Sequence, residues 1–187
     1  VPGGGGCKEM ALRAIDDAHV VRDDSRGDGV EIYASLRNAF ETIAMAKVSG
    51  SAVEAADLRL LRSSDAITMN RQRLLHDARL QALKQVELGY VPPLPRSDIP
   101  APGENVLANL EMGIHGMHEG GYISDHDVTV ARHVAKILCG GAVTAGTFLS
   151  ERHLLDLEVE AFLSLSGERK TQERIAHTLK TGKPLRN

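Results

Sequence analysis

Tryptophan is absent from this chain, and tyrosine and phenylalanine contribute three residues each. A single-stranded nucleic acid is held by stacking its bases on aromatic rings, so that class of function has nothing to build on. An excess of charge of one sign is missing too, with 22 basic residues against 25 acidic ones. Neither a nucleic-acid surface nor an anionic membrane surface is called for. No apolar run approaches the roughly 20 residues that a membrane span needs. The two cysteines, Cys7 and Cys139, are too few and too far apart for a disulfide framework, and a reducing cytoplasm is the expected setting. Runs of Val, Ile, Tyr and Phe are scarce, while Ala, Leu, Arg, Glu and Met are common, so the chain should be mainly α. Its 187 residues suffice for one sizeable core or two small ones.

What the chain does have is glycine at its start: Pro2-Gly3-Gly4-Gly5-Gly6 runs into Cys7-Lys8-Glu9-Met10, of helical composition. No signal or transit segment and no initiator Met stands ahead of it, and the opening reads as a piece of something longer. A glycine-rich loop feeding a helix start often borders a ligand. Two nucleotide motifs fail on spacing. A Walker loop needs Gly-Lys-Ser/Thr, but Cys7 precedes Lys8 and Glu9 follows it. The dinucleotide fingerprint needs a glycine where Lys8 or Glu9 stands. Two readings remain: backbone N–H groups that line a pocket or polarise a carbonyl, or glycines that only let the chain pass close to a neighbour.

A first helix is expected from about Cys7 to Ala14, then an exposed loop at Asp23–Gly29. Ile32, Leu36, Ala39, Phe40, Ile43 and Ala44 recur at helical spacing and predict a helix over Val30–Lys47, closed by Gly50. Ser51 with Glu54 is a capping-box pattern for a short helix ending near Leu58. Asp65–Thr68 is the one expected strand, and a long helix follows over Arg71–Leu88. Five prolines between Tyr90 and Gly103 exclude helix and central strand there. Four helices are expected beyond, at 104–119, 124–139, 150–166 and 169–181. Ser124/Asp127 and Ser150/His153 mark starts, and Gly120-Gly121, Gly140-Gly141 and Gly167 mark stops. The expected organisation is 1–91, a Pro-rich arm at 92–103, and a helical region at 104–187.

Groups that could carry chemistry are sparse. His115 and His118 share a helix face with Glu119 nearby, a pattern that could hold a metal, but a third ligand is not evident and surface or interface histidines are the better reading. Cys139 near a helix C-terminus is expected to be packed, not reactive. The Asp16-Asp17, Asp23-Asp24 and Asp125/Asp127 pairs read as solvated charge, and Ser35, Ser63-Ser64 and Ser150 lack a nucleophile elbow. No catalytic residue and no metal site is assigned.

The order of elements carries a resemblance. Pro2–Gly6 followed by a short helix resembles the loop after the active-site strand of the crotonase (enoyl-CoA hydratase/isomerase) superfamily. Thr42–Ala56 is similar to that family's helix, turn and "sA.eA...GLV" segment, with Leu58-Arg59-Leu60-Leu61 where the family reads Gly-Leu-Val. Glu160–Leu163, Lys170–Ile175 and Lys180–Asn187 resemble the end of multifunctional β-oxidation proteins that join a 3-hydroxyacyl-CoA dehydrogenase to an enoyl-CoA hydratase region. The resemblance implies the C-terminal helical portion of a crotonase-like α/β fold followed by an additional helical region. It implies acyl-CoA thioester as substrate and NAD as cofactor of the parent enzyme, with none bound by this chain. The family's two glutamates and both oxyanion donors precede the glycine loop, so neither Glu9 nor Glu31 inherits a role and the chain alone should be inactive. What it would keep is a pocket wall at Gly3, Gly4, Gly5 and Gly6, and contacts to the CoA phosphates from Lys170, Arg174 and Lys183. The rest of the multifunctional chain, a thiolase and further copies of itself are the implied partners. The alternative is a non-catalytic oligomerisation or lid module.

Overall fold

The structure, a computed structural model, describes residues 2–20 and 30–187. The expected Asp23–Gly29 loop, with its Asp23-Asp24 pair, lies outside the described residues. The described elements, in chain order, are α1 (Gly6–Val20), α2 (Val30–Ala44), α3 (Ala52–Asp57), a 3-10 turn (Arg71–Arg73) opening α4 (Leu74–Glu87), β1 (Ile99–Pro100), α5 (Gly103–Glu119), α6 (Asp125–Leu138), β2 (Phe148–Leu149), α7 (Glu151–Ser166) and α8 (Arg169–Thr181). The chain is mainly α, as its composition predicts. It divides into two compact units, Val1–Val48 with Arg96–Asn187, and Ser49–Pro95.

In the larger unit α1 packs on α2, α6 and α7, and α5 packs on α6. Helices from both sides of the proline-rich arm thus share one core. The cause is a matched stripe on each helix. Cys7, Met10, Ala11 and Ala14 of α1 meet Leu36, Ala39 and Phe40 of α2 and Ala131, Val134, Ala135 and Leu138 of α6. Ala11 and Ala135 are fully buried, and such small side chains let helix backbones approach closely. A second cluster forms on another side of α1, where Leu12 and Ile15 pack with Ile99, Ala101, Leu149 and Leu154.

Helix starts follow the sequence closely. Ser124 caps α6 in a full capping box with Asp127, Ser150 caps α7, and Ser51 caps α3. The carboxylate of Glu54 reaches one residue past the cap, accepting from Gly50 N–H at 2.6 Å. Helix ends differ more. α1 runs on to Val20 because Ile15 and Ala18 continue its buried stripe. α2 stops at Ala44, since Ala46 takes a left-handed φ of 49°. The Ala46 and Lys47 amides then donate back to Ile43 and Thr42, closing the helix in a Schellman motif before Gly50 is reached.

Asp65–Thr68 is not a strand: it follows a turn in which Asp65 N–H donates to Arg62 O and the Asp65 carboxylate accepts from Arg62 N–H. No strand pairs with it among the described residues, and an unpaired strand has nothing to hold it. The strands instead form where the arm meets the loop before α7. Ile99 pairs with Leu149 and Pro100 with Phe148, antiparallel. Just beyond, Gly103 adopts φ +81°, and a Cβ there would overlap the backbone of Ala145.

The smaller unit, described by itself, is α3, an irregular segment, α4 and an extended tail. Ala55 is its one buried residue.

Candidate functional site

The glycine run ends in a filled anion site. Gly5 takes φ +88°, a region that glycine enters without steric penalty, and this turns its amide toward α7. Gly5 N–H donates to Glu158 Oε2 at 2.7 Å and Lys8 N–H donates to Glu158 Oε1 at 2.6 Å. Glu158 is 1% exposed. The free N–H groups and positive end of the α1 dipole, which make a helix start attractive to an anion, thus face a carboxylate of this same chain. Gly3, Gly4 and Gly6 are exposed; a Cβ on Gly4 or Gly6 would meet nothing, whereas one on Gly3 would press on the Phe162 ring at 2.7 Å. A dinucleotide pyrophosphate at this start would face the Glu158 carboxylate, so these residues do not fit NAD.

Beside it lies an ion-pair network. Lys8, 8% exposed, places Nζ 2.5 Å from Glu9 and 2.8 Å from Glu151. Burial, the largest influence, pushes the Lys8 ammonium down, but its bonds to Glu151 and Glu9 more than offset this and hold it above its ordinary value. Glu151 is held low by Lys8 and by the Arg96 N–H, which donates to its other oxygen at 2.9 Å. The Arg96 guanidinium in turn meets Asp16 at 2.8 Å.

The second place of interest is a cleft of about 550 Å³ between the end of α2, α6, α8 and the tail after Gly182. Ile43, Val130, Ile175, Leu179 and Leu185 line it, with Asp127, Arg174 and Arg186 as charged members. Arg174 NH1 meets Asp127 Oδ1 at 2.7 Å, and its other nitrogens donate to Asn187 and Ser124. Burial pushes the Asp127 carboxyl up, yet the Ser124 N–H and Arg174 outweigh it and hold it low. Under the cleft floor, buried His126 shares a 2.8 Å hydrogen bond with Thr171. An apolar trough with guanidinium groups at its wall can bind an amphiphilic anion. Among the described residues that line it the carboxylate is Asp127, and it is paired with Arg174.

Of the residues nominated from sequence, the structure places Arg174 in this wall; Lys170 and Lys183 are exposed and do not line the cleft. The glycines lie apart from it at the start of α1. Cys7 and Cys139 are both free and buried, and burial pushes each thiol up to about 12. His115 is exposed, while His118 Nε2 lies 2.8 Å from Asp125 Oδ1. Among the described residues no group of three His, Cys, Asp or Glu is arranged to hold a metal. Asp127 and Asp16 are not simply solvated: each is an ion-pair partner, of Arg174 and Arg96 respectively. Sequence reasoning missed Glu158, Arg186 and the Asp127–Arg174 pair. Glu158 left one signal, a charged residue in the Leu154, Leu157, Ala161, Leu165 stripe of α7.

Comparison with known proteins adds one relative. Across all 187 residues the chain is 42% identical to a probable 3-hydroxyacyl-CoA dehydrogenase of Bacillus subtilis (strain 168). It spans 22% of that relative's length. No family model matches the chain, and no solved structure matches it. The similarity is therefore to one part of that relative and takes in the whole of this chain.

Proposed function

We propose that this chain is one part of a longer fatty-acid β-oxidation enzyme that oxidises 3-hydroxyacyl-CoA thioesters with NAD. The observation that supports this is the 42% identity, over the whole chain, to a probable 3-hydroxyacyl-CoA dehydrogenase. NAD would be held elsewhere in the longer enzyme, because the glycine-rich start of α1 is occupied by Glu158. A finer reading is that the longer enzyme also hydrates trans-2-enoyl-CoA through a crotonase-like region that includes this chain. Its support is the resemblance of Pro2–Gly6 and Thr42–Ala56 to that superfamily. In that reading Gly3 to Gly6 border the acyl-CoA site, and Lys170, Arg174 and Lys183 on and after α8 face the CoA phosphates.

The chain by itself should catalyse neither step, since the buried carboxylate it could offer, Glu158, is already bonded to two backbone amides. The test is an assay of the longer polypeptide and of residues 1–187 side by side. NADH formation from 3-hydroxybutyryl-CoA by the longer polypeptide alone is expected, together with hydration of crotonyl-CoA. Absence of NADH formation would sink the dehydrogenase reading; absence of hydration would sink only the crotonase-like part.

A further inference from the structure

We propose that the cleft between the end of α2, α6, α8 and the tail after Gly182 binds a single-headed amphiphile, an aliphatic carboxylate, with its chain in the trough and its head at Arg186. The inference goes beyond the enzyme reading above and does not depend on it, because a free carboxylate is not the thioester that such an enzyme oxidises.

The first observation is how the trough is built. Every residue that lines it belongs to the larger unit, so its shape is set within one packed body. Ala131 and Val134 of α6 line it and are buried members of the main core, so the cleft reaches down to the core and is not a crease of the surface. Ile43 of α2, Ile175 and Leu179 of α8 and Leu185 of the tail make its walls apolar. Its volume of about 550 Å³ falls within the roughly 300–1,000 Å³ of ligand pockets. Leu179 is 83% exposed and Ile175 43%, apolar surface that an inserted chain removes from water. The second observation is the charge. Asp127 and Arg174 both line the cleft but answer each other at 2.7 Å, and Arg174 Nε also donates to Asn187 Oδ1 at 2.8 Å. Arg186 lines it too and is exposed, so it stands at the rim. Among the described residues it has no ion-pair or hydrogen-bond partner. The tail that carries it is pinned, since Asn187 Nδ2 donates to Glu173 Oε2 at 2.9 Å and the Asn187 carbonyl accepts from Ser124 Oγ at 3.0 Å. The cleft thus joins an apolar body to one guanidinium without a counterion, whose planar fork matches a carboxylate.

The same residues argue against other heads. Among the described residues no Phe, Tyr or Trp lines the cleft, so a nucleotide head finds no ring to stack on. Several phosphate charges would also exceed what one guanidinium can answer. An uncharged lipid would leave Arg186 without a partner.

The test measures binding of decanoate, by calorimetric titration below its micelle concentration, to the full polypeptide that contains this chain. No substrate or NAD is present. One saturable site is expected. Arg186→Gln should weaken it roughly three- to tenfold, the scale of a solvent-screened charge at a rim. Leu179→Glu should abolish it by setting a second carboxylate in the trough, and its exposed position keeps the substitution clear of the core. Lys180→Gln, on the same helix but not among the lining residues, should leave binding unchanged. Absence of saturable binding would overturn the proposal, and so would a site that neither Arg186→Gln nor Leu179→Glu alters. Decanoyl-CoA that binds more tightly than decanoate and is weakened equally by Arg186→Gln would overturn it too, by assigning the cleft to the thioester. A polypeptide that binds decanoate as expected but forms no NADH removes the enzyme reading and keeps the site, and the converse result removes only the site.

Discussion

Glu158 illustrates what a single buried carboxylate demands. It sits on α7 with 1% of its surface exposed, and its two oxygens are each met by a backbone amide some 150 residues earlier in the chain. It acts as the N-terminal cap of α1 from a distant helix, and it joins the first and seventh helices where no apolar contact could satisfy those amides. Replacing it with leucine strands two buried donors, at a cost of about 1–3 kcal/mol for each unsatisfied group. We expect Glu158→Leu to lower the urea midpoint of unfolding well below that of Glu158→Gln, which keeps one acceptor oxygen for one of the amides. Equal midpoints for the two variants would show that the carboxylate does not cap α1.

At the scale of elements, helix ends are decided by single backbone positions. Ala46 and Arg59 hold left-handed φ values of 49° and 60°, each at the second residue past a helix, and its own amide and the next one bond back in a Schellman closure. A side chain with a Cβ pays roughly 1 kcal/mol there that glycine avoids. Ala46 is exposed, so Ala46→Gly should raise stability by about 0.5–1 kcal/mol, measured by chemical denaturation; a loss of stability would contradict the left-handed closure. These ends also mark what the sequence could reveal. Ser51, Ser124 and Ser150 are caps because a short hydroxyl side chain is bonded within three residues, and local chemistry of that kind is readable in order along the chain. The end of α2 was not, since neither alanine nor arginine advertises a positive φ. The strand expected at Asp65–Thr68 failed because a strand is a pairing and not a local preference. Ile99–Pro100 pairs because Phe148–Leu149 is brought to it by the tertiary fold. Of the candidate site, Arg174 was legible as a cation on an expected helix, but its partners Asp127 and Asn187, and the capping role of Glu158, depend on contacts between distant segments.

At the scale of the whole molecule, the titrating groups set a direction for stability against pH. Burial lowers His126, 4% exposed and bonded to Thr171, below its ordinary 6.5, and His133 is lowered too, again chiefly by burial. A lowered base is protonated in the unfolded chain first, so the unfolded state binds more protons and stability falls as pH drops below that value. Asp127 and Glu151 are held below their ordinary 3.8 and 4.5, and their contribution is lost in turn as pH falls further. Lys8, held above 10.5, contributes at all lower pH and fades only as alkaline pH passes its folded value. Urea midpoints should therefore be flat near neutrality and decline toward acid, and His126→Gln should flatten the decline over the range that opens just below the ordinary histidine value of 6.5. A midpoint that rises on acidification through that range would overturn the reading.

The larger unit has a further property that follows from its connectivity. Its chain leaves after Val48 and resumes at Arg96, where the Arg96 N–H donates to the Glu151 carboxylate and the Arg96 carbonyl accepts from the Glu151 N–H. To that core, everything from Ser49 to Pro95 is a single loop with its two ends already fixed. The entropy of closing a loop grows only with the logarithm of its length, about 0.6 kcal/mol for each doubling. In closure entropy alone, a longer or shorter excursion therefore changes little for the core that carries it. By that term the number of residues between Val48 and Arg96 is free to vary without reopening the closure at Arg96 and Glu151.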